Sequence, residues 1–208
     1  MLERKNIYEM RYWPTTKEGT EGRIHRLEDM KFFKEFHSGM PLSVRNKKVR
    51  KLEYLESCKD LEGYYAKIYY IVLNMLSEPR GYIMDEIKGK AFEGYYFNEK
   101  ELLDILQQIK EIVLKKFYDE NGILYLDLRE PNIKIDHDNS PILLDMDNIQ
   151  TEEESLDVTP TLLKYYILRG GKRDKNALIL MLNDLTRRFL EEDEYTVDSE
   201  VTAFQNNL

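Results

Sequence analysis

Ile123-Leu124-Tyr125-Leu126-Asp127-Leu128-Arg129-Glu130-Pro131-Asn132-Ile133-Lys134-Ile135, followed by Ile142-Leu143-Leu144-Asp145-Met146-Asp147, carries more chemical information than any other part of the chain. Very apolar runs end here in Asp, Arg and Asn. Such groups are costly to bury without partners, so apolar strands that each end in a carboxylate or an amide indicate a cleft where oxygen ligands converge on a cation or a transferring group. Taken singly, Asp127 and Asn132 also suit ordinary turn caps, as Asx residues often do.

Just upstream, Asn98-x-x-Glu101 has the form of a capping box, opening a one-sided helix through Leu102, Leu106, Ile109, Val113 and Phe117 to a stop at Asn121-Gly122. Lys88-Gly89-Lys90, before it, is the corner suited to a hinge. The chain N-terminal to that corner is β-rich, with runs Ile7 to Trp13, Arg23 to Leu27 and Met30 to Phe36 separated by turn residues at 18–22 and at Glu28-Asp29. From Ser43, a candidate N-cap, the period becomes helical, with Val49, Leu52 and Leu55 apolar among basic residues. Lys67 to Leu73 and Gly81 to Ile87, joined through Ser77-Glu78-Pro79-Arg80, form a predicted hairpin that completes a five-stranded antiparallel sheet. Downstream, Ile133 to Ile135 and Pro141 to Leu144 are β-like pieces around the Asp136-His137-Asp138-Asn139 turn. Two more helical patterns lie near Thr161–Leu168 and Lys175–Leu190, ahead of an acidic tail that is expected to be mobile.

The composition narrows the function classes. With 208 residues, 42% of them hydrophobic, the chain can build a sizeable core. Its 31 Lys+Arg against 39 Asp+Glu give a net charge of −8, which disfavours nucleic acid as a partner. The charge is uneven, since residues 1–50 carry +5. A lone Cys58 excludes an intramolecular disulfide framework and a cysteine zinc site and fits a reducing, cytoplasmic setting. No run of apolar residues suggests a membrane partner or a signal peptide. His25, His37 and His137 lack metal-site spacing, and no serine sits in a G-x-S-x-G context. The fifteen tyrosines are best explained by strand and core packing rather than by base stacking.

Taken in order along the chain, these features resemble the protein-kinase-like family. Asp127 precedes Asn132 by five residues, and Asp145 follows Asn132 by 13, matching the family's base aspartate, its metal-binding asparagine and the aspartate of D-F-G. Phe33-Lys34-Glu35-Phe36 looks like the strand lysine motif, and Glu53, 19 residues on, stands where the family's partner glutamate is expected. Tyr82-Ile83-Met84-Asp85-Glu86-Ile87 resembles the hinge strand that receives an adenine ring, and Gly19 and Gly22 occupy the position of the glycine-rich loop.

The resemblance implies an α+β, two-lobed kinase-like fold. Residues 1–87 would form a β-rich N-lobe with a five-stranded antiparallel sheet and one helix, 88–192 a reduced helical C-lobe, and 193–208 the tail. It implies ATP and Mg²⁺ as cofactors, with Lys34, held by Glu53, on the α/β-phosphates, Asn132 and Asp145 on the metal, and Asp127 as the base. Gly19, Gly22, Met84, Asp85, Glu86 and Ile87 would line the nucleotide, with Asp85 and Glu86 as candidate ribose acceptors. Arg129 would stabilise the transferring phosphoryl or else pair with an acid such as Glu130. Asp147 would be an N-cap or a second metal ligand. The departures are Tyr125-Leu126 for His-Arg, Met146-Asp147 for Phe-Gly, a shortened glycine loop and no A-P-E after Asp147. The expected activity is phosphoryl transfer to a hydroxyl, a protein Ser/Thr ahead of a small aminoglycoside-like or choline-like alcohol, with a non-catalytic pseudokinase as the other class. Twelve acids against two bases between Tyr118 and Asp157, Glu152-Glu153-Glu154 among them, predict a cationic acceptor.

Overall fold

Short β-prone runs separated by tight turns build the N-terminal part strand upon strand. The structure, a computed structural model, describes residues 2–19, 22–92, 98–125, 127–151 and Leu182. It divides into two compact units, Met1–Lys88 and Gly89–Leu208. The helices expected near Thr161–Leu168 and Lys175–Leu190, the acidic tail and Glu152 to Glu154 lie outside the described residues.

Among the described residues, the first unit is a mixed six-stranded sheet and not the five-stranded antiparallel one expected from the sequence. Its strands are β1 (Glu3–Asn6), β2 (Tyr12–Glu18), β3 (Gly22–Leu27), β4 (Lys31–Phe36), β5 (Ile68–Leu73) and β6 (Pro79–Asp85), in the order β1-β5-β6-β4-β3-β2. The added strand is β1, which pairs parallel with β5, Glu3 opposite Tyr70 and Asn6 opposite Leu73. Its Glu-Arg-Lys-Asn sequence has no apolar alternation, because an edge strand with polar, partly exposed residues has no face to bury. Ile7–Glu9, expected to open the first strand, is instead a 3₁₀ turn started by Asn6, whose side chain accepts the Tyr8 N–H at 3.2 Å. Pro14 is tolerated in β2 because β2 is the other edge, and the β2–β3 register shifts on both sides of Thr15.

Helix α1 (Leu42–Ser57) connects β4 to β5 and buries Val49, Leu52 and Leu55, each worth about 1.5–3 kcal/mol on removal from water. Ser43 lies inside its first turn; Pro41 takes the cap position, with no side-chain cap bond. Arg45 supplies order here, donating to the carbonyls of Met40 at 2.9 Å and Ser38 at 2.7 Å from a buried position.

In the second unit, the capping box forms as the sequence predicts: the Asn98 side chain accepts the Glu101 N–H at 3.0 Å, and Glu101 accepts the Asn98 N–H at 3.2 Å. Helix α2 (Glu99–Glu111) then widens into π-helix over Ile112–Asp119, a change of winding that the apolar spacing does not announce. The described strands of this unit are short: β7 (Lys90–Ala91), β8 (Ile123–Tyr125), β9 (Ile133–Ile135), β10 (Pro141–Leu143) and β11 (Ile149–Thr151). They form a β10-β9-β7 sheet and a β11-β8 pair. β9 and β10 answer to the expected β-like pieces; β8, like β10, is buried at all three positions and shows no period-2 signal. At the expected hinge, a Cβ on Gly89 would lie 2.2 Å from the Ile135 carbonyl oxygen, so close strand approach explains this glycine. No helix among the described residues is long and apolar enough to cross a membrane.

Candidate active site

Two connections of the second unit carry the site residues expected from the sequence, and each is fixed at both ends by strands. Residues 127–132 run from β8 to β9, and 144–148 from β10 to β11. Pro131 helps close the 3₁₀ turn Glu130–Asn132, in which the Asn132 N–H donates to the Arg129 carbonyl at 2.9 Å. The turn brings the Asn132 side chain, itself buried, back onto Asp127. Its amide nitrogen donates to the Asp127 backbone carbonyl at 3.0 Å and to carboxylate Oδ2 at 2.8 Å.

Arg129 completes the arrangement. Its Nε lies 3.1 Å from Asp127 Oδ1, and its Nη2 donates to Oδ2 at 3.2 Å, a forked pairing. Its partner is therefore Asp127, two residues back, and not Glu130. The guanidinium is half-exposed while the carboxylate is largely shielded.

Asp145 is the second residue of the second connection. It takes the left-handed conformation, φ 60° and ψ 47°, unusual for a residue with a side chain. Asp145, not Asp147, occupies the cap position of the 3₁₀ turn Met146–Asn148, and Asp147 is fully buried within that turn. The Leu144 N–H donates to the Asn132 carbonyl at 2.8 Å, which ties the two connections together.

The donor set suits a small hard cation. Because the Asn132 nitrogen is engaged with Asp127, its amide oxygen is turned away from that carboxylate; this oxygen and the Asp145 carboxylate are the groups that could serve a cation. Among the described residues, no three His, Cys, Asp or Glu side chains cluster as a self-sufficient metal cage. Mg²⁺ needs no such cage, since it binds through one or two protein oxygens plus waters and substrate phosphates.

In the first unit, Lys34 is buried on β4, between Ile24 of β3 and Tyr82 of β6, with its ammonium 5.8 Å from the Tyr82 ring centre. The carboxylate of Glu53 accepts from Arg4 of β1 at 3.2 Å. Another α1 carboxylate faces inward, Glu56, which accepts the Ile68 N–H at 3.1 Å and the Tyr65 hydroxyl at 2.9 Å. Gly19 and Gly22 close the β2–β3 hairpin, with the Gly19 N–H on the Gly22 carbonyl at 2.9 Å. His37 Nε2 lies 2.8 Å from the Gly19 carbonyl oxygen.

At the end of β6, Met84 pairs with Phe32 and Ile68, and the Asp85 and Glu86 N–H groups donate to the carbonyls of Lys67 and Met30 at 3.0 and 2.9 Å. Glu86 also accepts from Arg26 at 2.9 Å. Asp85 hydrogen-bonds the Tyr69 hydroxyl, which is pushed up by burial and then by that bond. Both acids are thus engaged within their own unit, and Ile87 follows them.

Sequence reasoning missed a buried polar cluster. His25 Nε2 sits 2.8 Å from Glu35 Oε2, while Arg80 Nη2 holds Glu35 Oε1 at 2.8 Å, linking β3, β4 and β6. Its only sequence signal is that charged residues interrupt aromatic strands. Compared with known proteins, the chain matches no family model and no curated sequence.

Proposed function

We propose that this chain is a Mg²⁺-dependent phosphotransferase that moves the γ-phosphoryl group of ATP to a hydroxyl, a protein serine or threonine being the favoured acceptor. The observation that carries the reading is the 127–132 connection, where one shielded carboxylate is oriented by an amide and a guanidinium and tied by a backbone bond to the segment bearing Asp145.

In this reading Asp127 accepts the hydroxyl proton as the acceptor oxygen bonds to the γ-phosphorus and the bond to the bridging oxygen breaks, releasing ADP. Asn132 keeps the carboxylate from rotating. Arg129, half-exposed, can exchange its carboxylate partner for phosphate oxygens, which its planar fork fits equally well. Asn132 and Asp145 would hold Mg²⁺, which when bound neutralises phosphate charge. Lys34 keeps the α/β-phosphate role that the kinase resemblance implies. The β2-β3-β4 meander, helix α1 and the β5–β6 hairpin also support the reading, since they follow the order that the kinase resemblance implies.

A non-catalytic nucleotide-binding module is the second reading, favoured by one observation: Glu53 is engaged by Arg4. Thermal shifts with ATP, with and without Mg²⁺, test the nucleotide site, since a ligand at a hundred times its Kd stabilises by about 2.7 kcal/mol. A Mg²⁺-dependent shift that Asp145→Asn loses is expected; equal shifts in both proteins would refute the metal assignment. Mass spectrometry after incubation with ATP, Mg²⁺ and a basic serine peptide then separates the readings. Phosphopeptide made by the wild type and not by Asp127→Ala supports catalysis, and none from either supports the module.

A further inference from the structure

Strand β2 is an edge of the first unit's sheet, so it pairs on one side only, with β3, and that pairing shifts register on both sides of Thr15. The end of an irregular edge strand is weakly held. Gly19 lies just past that end. Its bond within the hairpin, from the Gly19 N–H to the Gly22 carbonyl at 2.9 Å, and the neighbouring Glu18–Arg23 pair at 3.0 Å fasten β2 only to β3. Gly22 is better anchored, since it sits opposite Phe36 of β4. A further bond reaches Gly19 from beyond β3: His37, the residue after β4, brings its Nε2 to 2.8 Å from the Gly19 carbonyl oxygen. A carbonyl only accepts, so Nε2 carries the proton.

The donor is itself held in place. The His37 carbonyl accepts the Met40 N–H at 3.0 Å and Arg45 Nη2 at 3.4 Å, while buried Arg45 also donates to the carbonyls of Ser38 and Met40 at 2.7 and 2.9 Å. A continuous set of hydrogen bonds thus runs from helix α1 through the β4–α1 connection to the end of β2. Folding alone does not ask for glycine at 19. Its φ lies outside the left-handed region, and among the described residues an added Cβ would meet only the Gly22 carbonyl oxygen, at an ordinary 3.8 Å. A glycine that the chain does not need sterically suits a backbone that a ligand approaches closely.

We infer that His37 is a positioning residue, which holds the Gly19 end of the β2–β3 turn in one place against the phosphates of the nucleotide. The inference rests on the phosphotransferase reading, in which Gly19 and Gly22 line the nucleotide. It gives a task to a histidine whose spacing in the sequence carries no metal-site pattern.

His37→Ala removes the donor, His37→Gln supplies an amide nitrogen with a reach close to that of Nε2, and His37→Asn supplies one that falls short. Two measurements apply: hydrogen exchange of the Gly19 amide without ligand, and the Kd values of ATP with Mg²⁺ and of adenosine. Losing one hydrogen bond should speed Gly19 exchange by about two- to tenfold in the Ala and Asn variants and leave the Ile83 amide of β6 unchanged. ATP should bind more weakly by a similar factor, adenosine, which has no phosphates, equally well, and His37→Gln should restore both readouts. The Gln and Asn pair serves alone if His37→Ala does not fold. Unchanged Gly19 exchange, unchanged ATP affinity, equal losses for ATP and adenosine, or a loss that Gln does not restore would each overturn the role of His37 and leave the phosphotransferase reading standing. A wild type that binds no ATP would overturn that reading, and the inference with it.

Discussion

Replacing Asn132 by leucine keeps a side chain of similar size in a buried position and removes both bonds to Asp127. The bond at 2.8 Å ends on a carboxylate and is worth about 1.5–3 kcal/mol, and the one at 3.0 Å to a neutral carbonyl about 0.5–1.5 kcal/mol. Arg129 still covers both carboxylate oxygens, which limits the loss, so about 2–4 kcal/mol is expected. The backbone bonds of Asn132, from its N–H to Arg129 and from Leu144 to its carbonyl, do not depend on the side chain. The damage should therefore loosen the connection without erasing the strands around it. Native-state hydrogen exchange reads this best, because each amide reports its own opening. At tenfold per 1.4 kcal/mol, protection of the Asn132 and Leu144 amides should fall about 30- to 700-fold, with β4 of the first unit unchanged. A fall of less than about threefold would mean that the side-chain amide does not organise the connection, and the base assignment would lose its main support.

Glu35→Ala leaves buried His25 and partly buried Arg80 without their shared carboxylate, and urea unfolding should show a loss of about 3–5 kcal/mol; a loss below 1 kcal/mol would mark the cluster as energetically idle. A Cβ at Gly22 would lie 2.2 Å from the Glu35 carbonyl oxygen, so Gly22→Ala should cost about 1–3 kcal/mol, against less than about 0.5 for Gly39→Ala, where nothing lies within 4 Å. If the two glycines tolerate alanine equally, strand approach is not what Gly22 serves. A double-mutant cycle on Arg4 and Glu53 should give a coupling of at most about 1 kcal/mol, as for exposed pairs, while Lys34→Ala and Glu53→Ala should add within about 0.5 kcal/mol. Strong Lys34–Glu53 coupling would reinstate the pair expected from the sequence. Burial pushes the Cys58 thiol up, a hydrogen bond with Ser57 opposes this, and the charge of Asp60 adds to it. Less thiolate is then present at pH 8, so iodoacetamide should label Cys58 more slowly than a free cysteine, at a rate still rising beyond pH 9; equal rates at pH 8 would contradict the burial.

What the sequence determines by itself is local. The Asn98 and Glu101 box, the apolar period of α1 and the Asp136 turn, whose carboxylate accepts the Asp138 and Ser140 N–H groups at 2.9 and 2.8 Å, all act within a few residues. The spacing of Asp127 and Asn132 is legible for the same reason, since one tight turn closes it. Only the tertiary structure decides that Glu53 meets Arg4, 49 residues away, that Glu35 gathers His25 and Arg80, and that the Tyr125 hydroxyl finds Leu144. A charged or hydroxyl group will pair with any complementary partner that strand register brings within about 3 Å, and its identity names none of them. Strand β1 was hidden for a related reason: its pairing is through backbone N–H and C=O groups, which every residue but proline carries alike.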